Sequence, residues 1–379
     1  MRNREKLLDR QVAYDFNKTH TQIAKGIAIL LMMYHHLFVL PQRIQCDYFS
    51  VLNLCGLDFQ TILAYFCKIC VGIFVFLSGY GLCNSAKKYD TILKMYKAIF
   101  IRTIKFFVNY WIVFIIFIPI GIFLKVYNFE GKYILMAMLG FEVGSYSTEW
   151  WFVNAYIMLL FIFPLFYYIF SRIKTIKKIV IFSLYTIVFL SVKLCEYYLS
   201  GVPLVSLLIS SYLKYIYDFQ IISIFLVGIL FSKFNLYSRF VIFIQSKVDI
   251  KIFSAVILVC VFVVRAIFSN SPSSMNIDFL LVPFFVFSIT TLFYDTKISV
   301  VFRIFGKQST NIWLSHTFWC YYFWQPIVFF PYFSTAIYIW FAILSLITSF
   351  AINLILIPIN NLFFSKEHKL SHKGYFKME

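Results

Sequence analysis

The sequence predicts an all-α fold, a polytopic integral membrane bundle of about ten transmembrane helices with both termini cytoplasmic. Three observations predict it. Charged residues make up only 13% of the 379, against about 25% in a soluble domain, while 61% are hydrophobic. The apolar residues come in long runs, such as 99–124 and 180–192, rather than as amphipathic stripes. The basic residues gather on alternate connections between those runs.

Taken in chain order, the spans are 23–41, 60–83, 99–124, 149–171, 178–199, 219–235, 251–269, 276–294, 309–330 and 334–361. The stretch 203–217 is apolar but short and is closed by Lys214 and Asp218, so it reads as an interfacial helix. With a cytoplasmic N-terminus, the inner segments then hold 27 of the 34 Lys and Arg residues. Topology thus accounts for the net charge of +18, and no nucleic-acid partner is needed to explain it. The lipid bilayer is the partner that the charge implies. Lys68 and Arg265, close to the outer ends of their spans, are expected to snorkel to water.

The whole chain, 1–379, reads as a single transmembrane domain without a repeat or a soluble module. The first 22 residues are polar and no small-residue cleavage site follows the first apolar run, which argues against a cleavable leader. Eight cysteines show no metal or pairing pattern, and Cys67 and Cys70 sit inside an apolar run as filler. No metal is expected.

Ionisable groups inside spans are costly and are therefore functional candidates. The first span carries Lys25 and, eleven residues on, His36. At about 100° per residue the two return to within about 20° of one face, some 16 Å apart along the axis. A cation at the cytoplasmic mouth could hold a phosphorylated donor while the deeper imidazole moves a proton. A boundary lysine and a histidine bonded to a neighbouring helix would give the same pattern. His35 points elsewhere.

Lys25 through His36 resembles the signature of the acyltransferase-3 family, a basic residue followed by ten residues and a histidine. Three further stretches resemble the family in the same order. They are Gly72, Phe74, Phe76, Ser78, Gly79 and Tyr80 in the second span; Trp150, Trp151 and Phe152 with Tyr156 and Pro164; and Phe305, Gly306, Lys307, Ser309, Asn311, Trp313, Ser315 and His316. Many members carry arginine where this chain has Lys25, which keeps the charge but not the bidentate fork.

The resemblance implies a membrane O-acyltransferase that moves an acyl group, usually acetyl, from cytoplasmic acetyl-CoA to a hydroxyl of a surface or lipid-linked bacterial glycan. It places the chain in the cytoplasmic membrane. Lys25, with Arg102 and Lys105 at the mouth of the third span, would meet the phosphates of the donor; ordinary loop charge would also explain the last two. His36 is the expected general base, with His35 beside it and His316 a second candidate. Ser78, Asn311 and His316 could line the acceptor cavity, while Gly79 suits close helix packing. At the outer end Glu149, Trp150 and Trp151 could bind a sugar, or the tryptophans could serve as an interfacial belt.

The alternative is a transporter or flippase of glycan or small molecules. Such a protein would favour repeated halves and Gly- or Pro-broken helices, which the sequence does not show. A polymerase or ligase would want a large outer loop, and none exceeds about 25 residues.

Overall fold

The computed structural model describes residues 16–54, 57–141, 143–172, 218–267 and 277–373, and between 172 and 218 only positions 202, 207–208, 210–212 and 215. The predicted span 178–199 lies outside the described residues, as does most of 203–217.

The architecture is helical. The first helix, α1 (Lys18–Phe38), opens on a capping box: the Asn17 side chain accepts from the backbone N–H groups of Thr19 and His20, and His20 Nδ1 accepts from Asn17 N–H. A single turn at Pro41–Arg43 and a two-residue antiparallel hairpin, β1 (Asn53–Leu54) with β2 (Leu57–Asp58), lead to α2 (Phe59–Cys67) and α3 (Ile69–Ala86). Then come α4 (Ile92–Phe123), α5 (Gly131–Met138) and α6 (Trp151–Arg172). After the sparsely described stretch follow α7 (Phe219–Lys233), α8 (Leu236–Gln245), α9 (Ile250–Ile267), α10 (Asp278–Phe293) and α11 (Ser299–Thr317). A π-helical turn, Phe318–Tyr322, precedes α12 (Gln325–Phe329) and the long α13 (Ser334–Lys373).

Among the described residues, five helices are long and apolar enough to cross a membrane. A sixth is gained if α7 and α8, bent by 70° at Asn235, form one span. The ten predicted spans therefore do not all appear as long apolar helices, and the exceptions are instructive. α1 and α11 are diluted by Lys25, His35 and His36 and by Lys307, Gln308, Asn311 and His316. Among the described residues these two helices pack on each other more extensively than any other pair. Apart from the exposed Lys307, these polar groups are buried or half-buried against protein, so the helix surfaces there need no continuous apolar coat. The lipid-facing elements are the opposite case: only 17% of the α9 window and 22% of the α13 window are buried.

Two predicted spans change shape. The span 60–83 is broken at Lys68 into α2 and α3. The span 309–330 is the end of α11, the π turn and α12, because α11 begins at Ser299.

Arg265 corrects another expectation. It does not snorkel; it is 1% exposed and forms a bidentate pair with Asp278, Nε and Nη2 donating at 3.0 Å each. Its Nη1 donates to the carbonyls of Tyr65 and Phe66 at 2.9 and 2.6 Å. Those carbonyls lie at the break before Lys68, where the Lys68 N–H also donates to Tyr65 at 3.2 Å, and the buried guanidinium supplies further donors where water cannot.

Candidate functional site

The site is built on two facing helix stripes. Lys25, Met32 and His36 stand at i, i+7 and i+11 of α1, while Ser309, Trp313 and His316 stand at i, i+4 and i+7 of α11. The helices approach closely because each offers a glycine to the other's backbone. A Cβ at Gly26 would collide with the carbonyl oxygen of Phe302, and one at Gly306 with that of Gln22.

Between the stripes lies a narrow cavity of about 90 Å³, which widens to about 540 Å³ of atom-free space when its open mouth is counted. Lys25, Met32, Ser309, Thr310 and Trp313 line it from α1 and α11. Phe74 and Ser78 of α3, Phe106 of α4, and Phe152 and Tyr156 of α6 complete the wall. The cavity is thus an aromatic sleeve with a lysine on one wall. Arg102 lies within electrostatic range of Lys25. Ser78 Oγ donates to the Phe74 carbonyl at 2.7 Å, which leaves its lone pairs as acceptors.

One turn beyond Met32 and Trp313, His36 Nδ1 meets His316 Nε2 at 2.6 Å, and the rings are nearly parallel. The bonding of His316 fixes the protons. Its Nδ1 stands 2.9 Å from the carbonyl oxygens of both Ile312 and Trp313. Carbonyls only accept, so Nδ1 carries the hydrogen. In the neutral ring Nε2 is then a lone pair, and His36 Nδ1–H must donate to it. His36 Nε2 is left as the free lone pair of the pair, which is what a proton acceptor requires.

Beyond the histidines stands a polar cluster at the end remote from Lys25. Arg43 Nη1 donates to Glu149 Oε1 at 2.9 Å, the Tyr322 hydroxyl donates to Glu149 Oε2 at 2.9 Å, and the Arg43 guanidinium lies over the Tyr321 ring at 4.7 Å. Burial opposes the charge on Arg43, yet the hydrogen bond and charge of Glu149 hold its pKa above the usual value. The Tyr321 ring centroid is 5.9 Å from that of His36. Glu149 also lies within electrostatic reach of His316.

The structure therefore brings Lys25, Ser78, His36, His316 and Glu149 into one column. It separates others. His35 bonds the Ala64 carbonyl through Nδ1 at 2.8 Å and ties α1 to α2. Lys105 lies over the Phe364 ring at 4.8 Å, against α13. Asn311 is buried in an amide network, accepting from Asn109 at 2.7 Å and donating to Asn353 at 2.9 Å, and it does not line the cavity. Trp150 was expected at the outer surface, but it is fully buried and its indole N–H donates to the Leu314 carbonyl at 2.9 Å. A ring sealed into the core offers no face to a sugar.

Three residues of the polar cluster escape sequence reasoning: Arg43, Tyr321 and Tyr322. The tyrosines follow His316 closely, but only the π turn, a feature often found at functional sites, aims them back at His36 and Glu149. Among the described residues no group of three or more His, Cys, Asp and Glu side chains could hold a metal ion.

No curated protein and no solved structure matches the chain. The family model for the acyltransferase domain matches residues 22–357, a range that contains every residue of the cavity, of the histidine pair and of the polar cluster. The chain belongs to the acyltransferase-3 family, and it is a membrane acyltransferase.

Proposed function

We propose that the protein transfers an acetyl group from cytoplasmic acetyl-CoA to a hydroxyl of a surface or lipid-linked bacterial glycan, across ten spans of the cytoplasmic membrane, with His36 as general base. The observation that carries this reading is the oriented histidine pair one turn beyond a cavity with Lys25 in its wall.

The donor's phosphates meet Lys25, with Arg102 nearby, and its pantetheine arm enters the aromatic sleeve. Met32 and Trp313 stand between the cavity and the histidines, so the thioester reaches His36 by passing a flexible methionine. The acceptor hydroxyl arrives from the opposite end, past Arg43, Tyr321 and Glu149. Its oxygen attacks the thioester carbonyl as His36 Nε2 takes its proton. The new C–O bond forms, the C–S bond breaks, and the proton passes from His36 to the departing thiolate. The products are the O-acyl ester and free CoA. His316 accepts the Nδ1–H bond throughout and shares the charge that His36 gains, much as the third member of a catalytic triad does.

The test compares surface glycan from host cells with and without the gene, by mass and proton NMR of O-acetyl groups. Loss of acetyl, restored by the wild type and not by an equally expressed His36→Ala, is the expected result. An unchanged glycan in cells that make the protein overturns this acceptor.

A further inference from the structure

A second pocket opens beside the polar cluster, at the same end of the bundle. Ser145, Trp151, Asn154, Ser210, Ser211 and Tyr215 line it, and its volume is about 340 Å³, or about 680 Å³ of atom-free space with the open mouth counted. That size suits a small-molecule site, and the lining combines one broad indole face with several hydroxyls. Nothing in the transfer reaction uses it.

Asn154 gives the pocket its chemical signature. The side chain is only 2% exposed. Its Nδ2 donates to the Gly140 carbonyl at 2.8 Å, which fixes the orientation of the amide. Oδ1 is then an acceptor facing away from Gly140, and it is buried without a donor. A buried orphan acceptor costs about 1–3 kcal/mol; Oδ1 lies just beneath the pocket wall with almost no surface exposed, so a ligand hydroxyl gains this bond when the wall yields slightly to admit it. An indole with flanking serine hydroxyls, and an unpaired amide oxygen just beneath the wall, is the chemistry that recognises a pyranose ring. The indole covers the apolar C–H face, and the polar groups take the hydroxyls.

Position adds to chemistry. Trp151 follows Glu149 by two residues, at most about 7 Å from Cα to Cα. The single turn at Thr148–Trp150 and the start of α6 thus serve both places, with Glu149 turned to Arg43 and Tyr322, and Trp151 and Asn154 turned to the pocket.

We infer that this pocket is a second sugar subsite, which grips a ring of an oligosaccharide acceptor next to the ring being acylated. The inference rests on the acyl-transfer reading for its orientation, and its test separates the two. The full chain, in lipid nanodiscs, is titrated with oligosaccharides cut from the glycan of cells lacking the gene, and binding is read by saturation-transfer NMR. Wild type and His36→Ala should bind alike. Trp151→Ala and Asn154→Ala should bind roughly tenfold more weakly, the loss of about one good contact. Trp151→Phe, which keeps a ring, should bind close to wild type. The Gly140 carbonyl retains the Tyr212 hydroxyl as donor, at 2.7 Å, when Asn154 is truncated, so that variant should stay folded. Equal binding by monodisperse Trp151→Ala and Asn154→Ala, or no binding by wild type at about 10 mM fragment, overturns the subsite. If fragments bind as expected but are never acylated, the transfer reading fails and the subsite stands. If Trp151→Ala acylates them with an unchanged KM, the reverse holds.

Discussion

A single hydrogen-bond direction decides the chemistry at the residue scale. Two carbonyls on one side of His316 force its proton to Nδ1, and the consequence runs through the 2.6 Å contact to the free Nε2 of His36. Under the proposed reaction His316 is a positioning residue. His316→Ala should lower kcat by about 10²-fold with little change in the KM for acetyl-CoA. His316→Asn, which can still accept from His36 Nδ1–H, should recover part of the loss; steady-state kinetics on purified protein checks both, and equal damage in the two variants would mark a packing role. Lys25 belongs to the other end of the column. Lys25→Ala should raise the donor KM more than it alters acceptor use, with Lys25→Arg close to wild type. An unchanged donor KM would remove Lys25 from the donor site. The sequence pointed to Lys25, His36 and Glu149 because charge inside a span is conspicuous. It could not show that His35 is spent on the Ala64 carbonyl, or that Trp150 is sealed in the core.

At the scale of elements, close helix crossings set the precision of the site. α1 crosses α11 at Gly26 and Gly306, and α3 crosses α7 at Gly79 and Gly228, where added Cβ atoms would collide with the carbonyls of Phe225 and Phe76. Small residues at such crossings are a common way for membrane helices to associate. Ala at either Gly26 or Gly306 should push α1 from α11 and part the histidines. At equal folded yield, measured by size exclusion in detergent, Gly26→Ala and Gly306→Ala should lose more activity than Gly79→Ala, which parts two helices that carry neither histidine of the pair. Similar losses in all three would mean the crossings matter only for folding. The packing of Gly79 was expected from its residue type, whereas the reciprocal pairing of Gly26 with Gly306 needed the structure.

Across the whole molecule, polarity is arranged inside out. The polar α1 and α11 pack on each other, while α9 and α13, both strongly apolar, leave most of their surface outside the protein core. The same logic buries Arg265 with Asp278 at the break between α2 and α3. Basic residues gather at the connections assigned to the inside, so a reporter fused at the C-terminus should report cytoplasm. An external signal there would overturn the ten-span topology.

The sequence by itself determined the class of molecule, the family and the identity of the main polar residues. Long apolar runs, basic asymmetry and motif spacing are local properties that survive without any fold. Only the tertiary structure decided which polar groups meet. His36 and His316 are 280 residues apart, as are Gln45 and Gln325, while Arg43 reaches Glu149 across 106. Such partnerships depend on how helices cross and on which carbonyls a break or a π turn leaves free. In lipid every one of those groups must find a partner inside the protein, and no short window of sequence records which partner it finds.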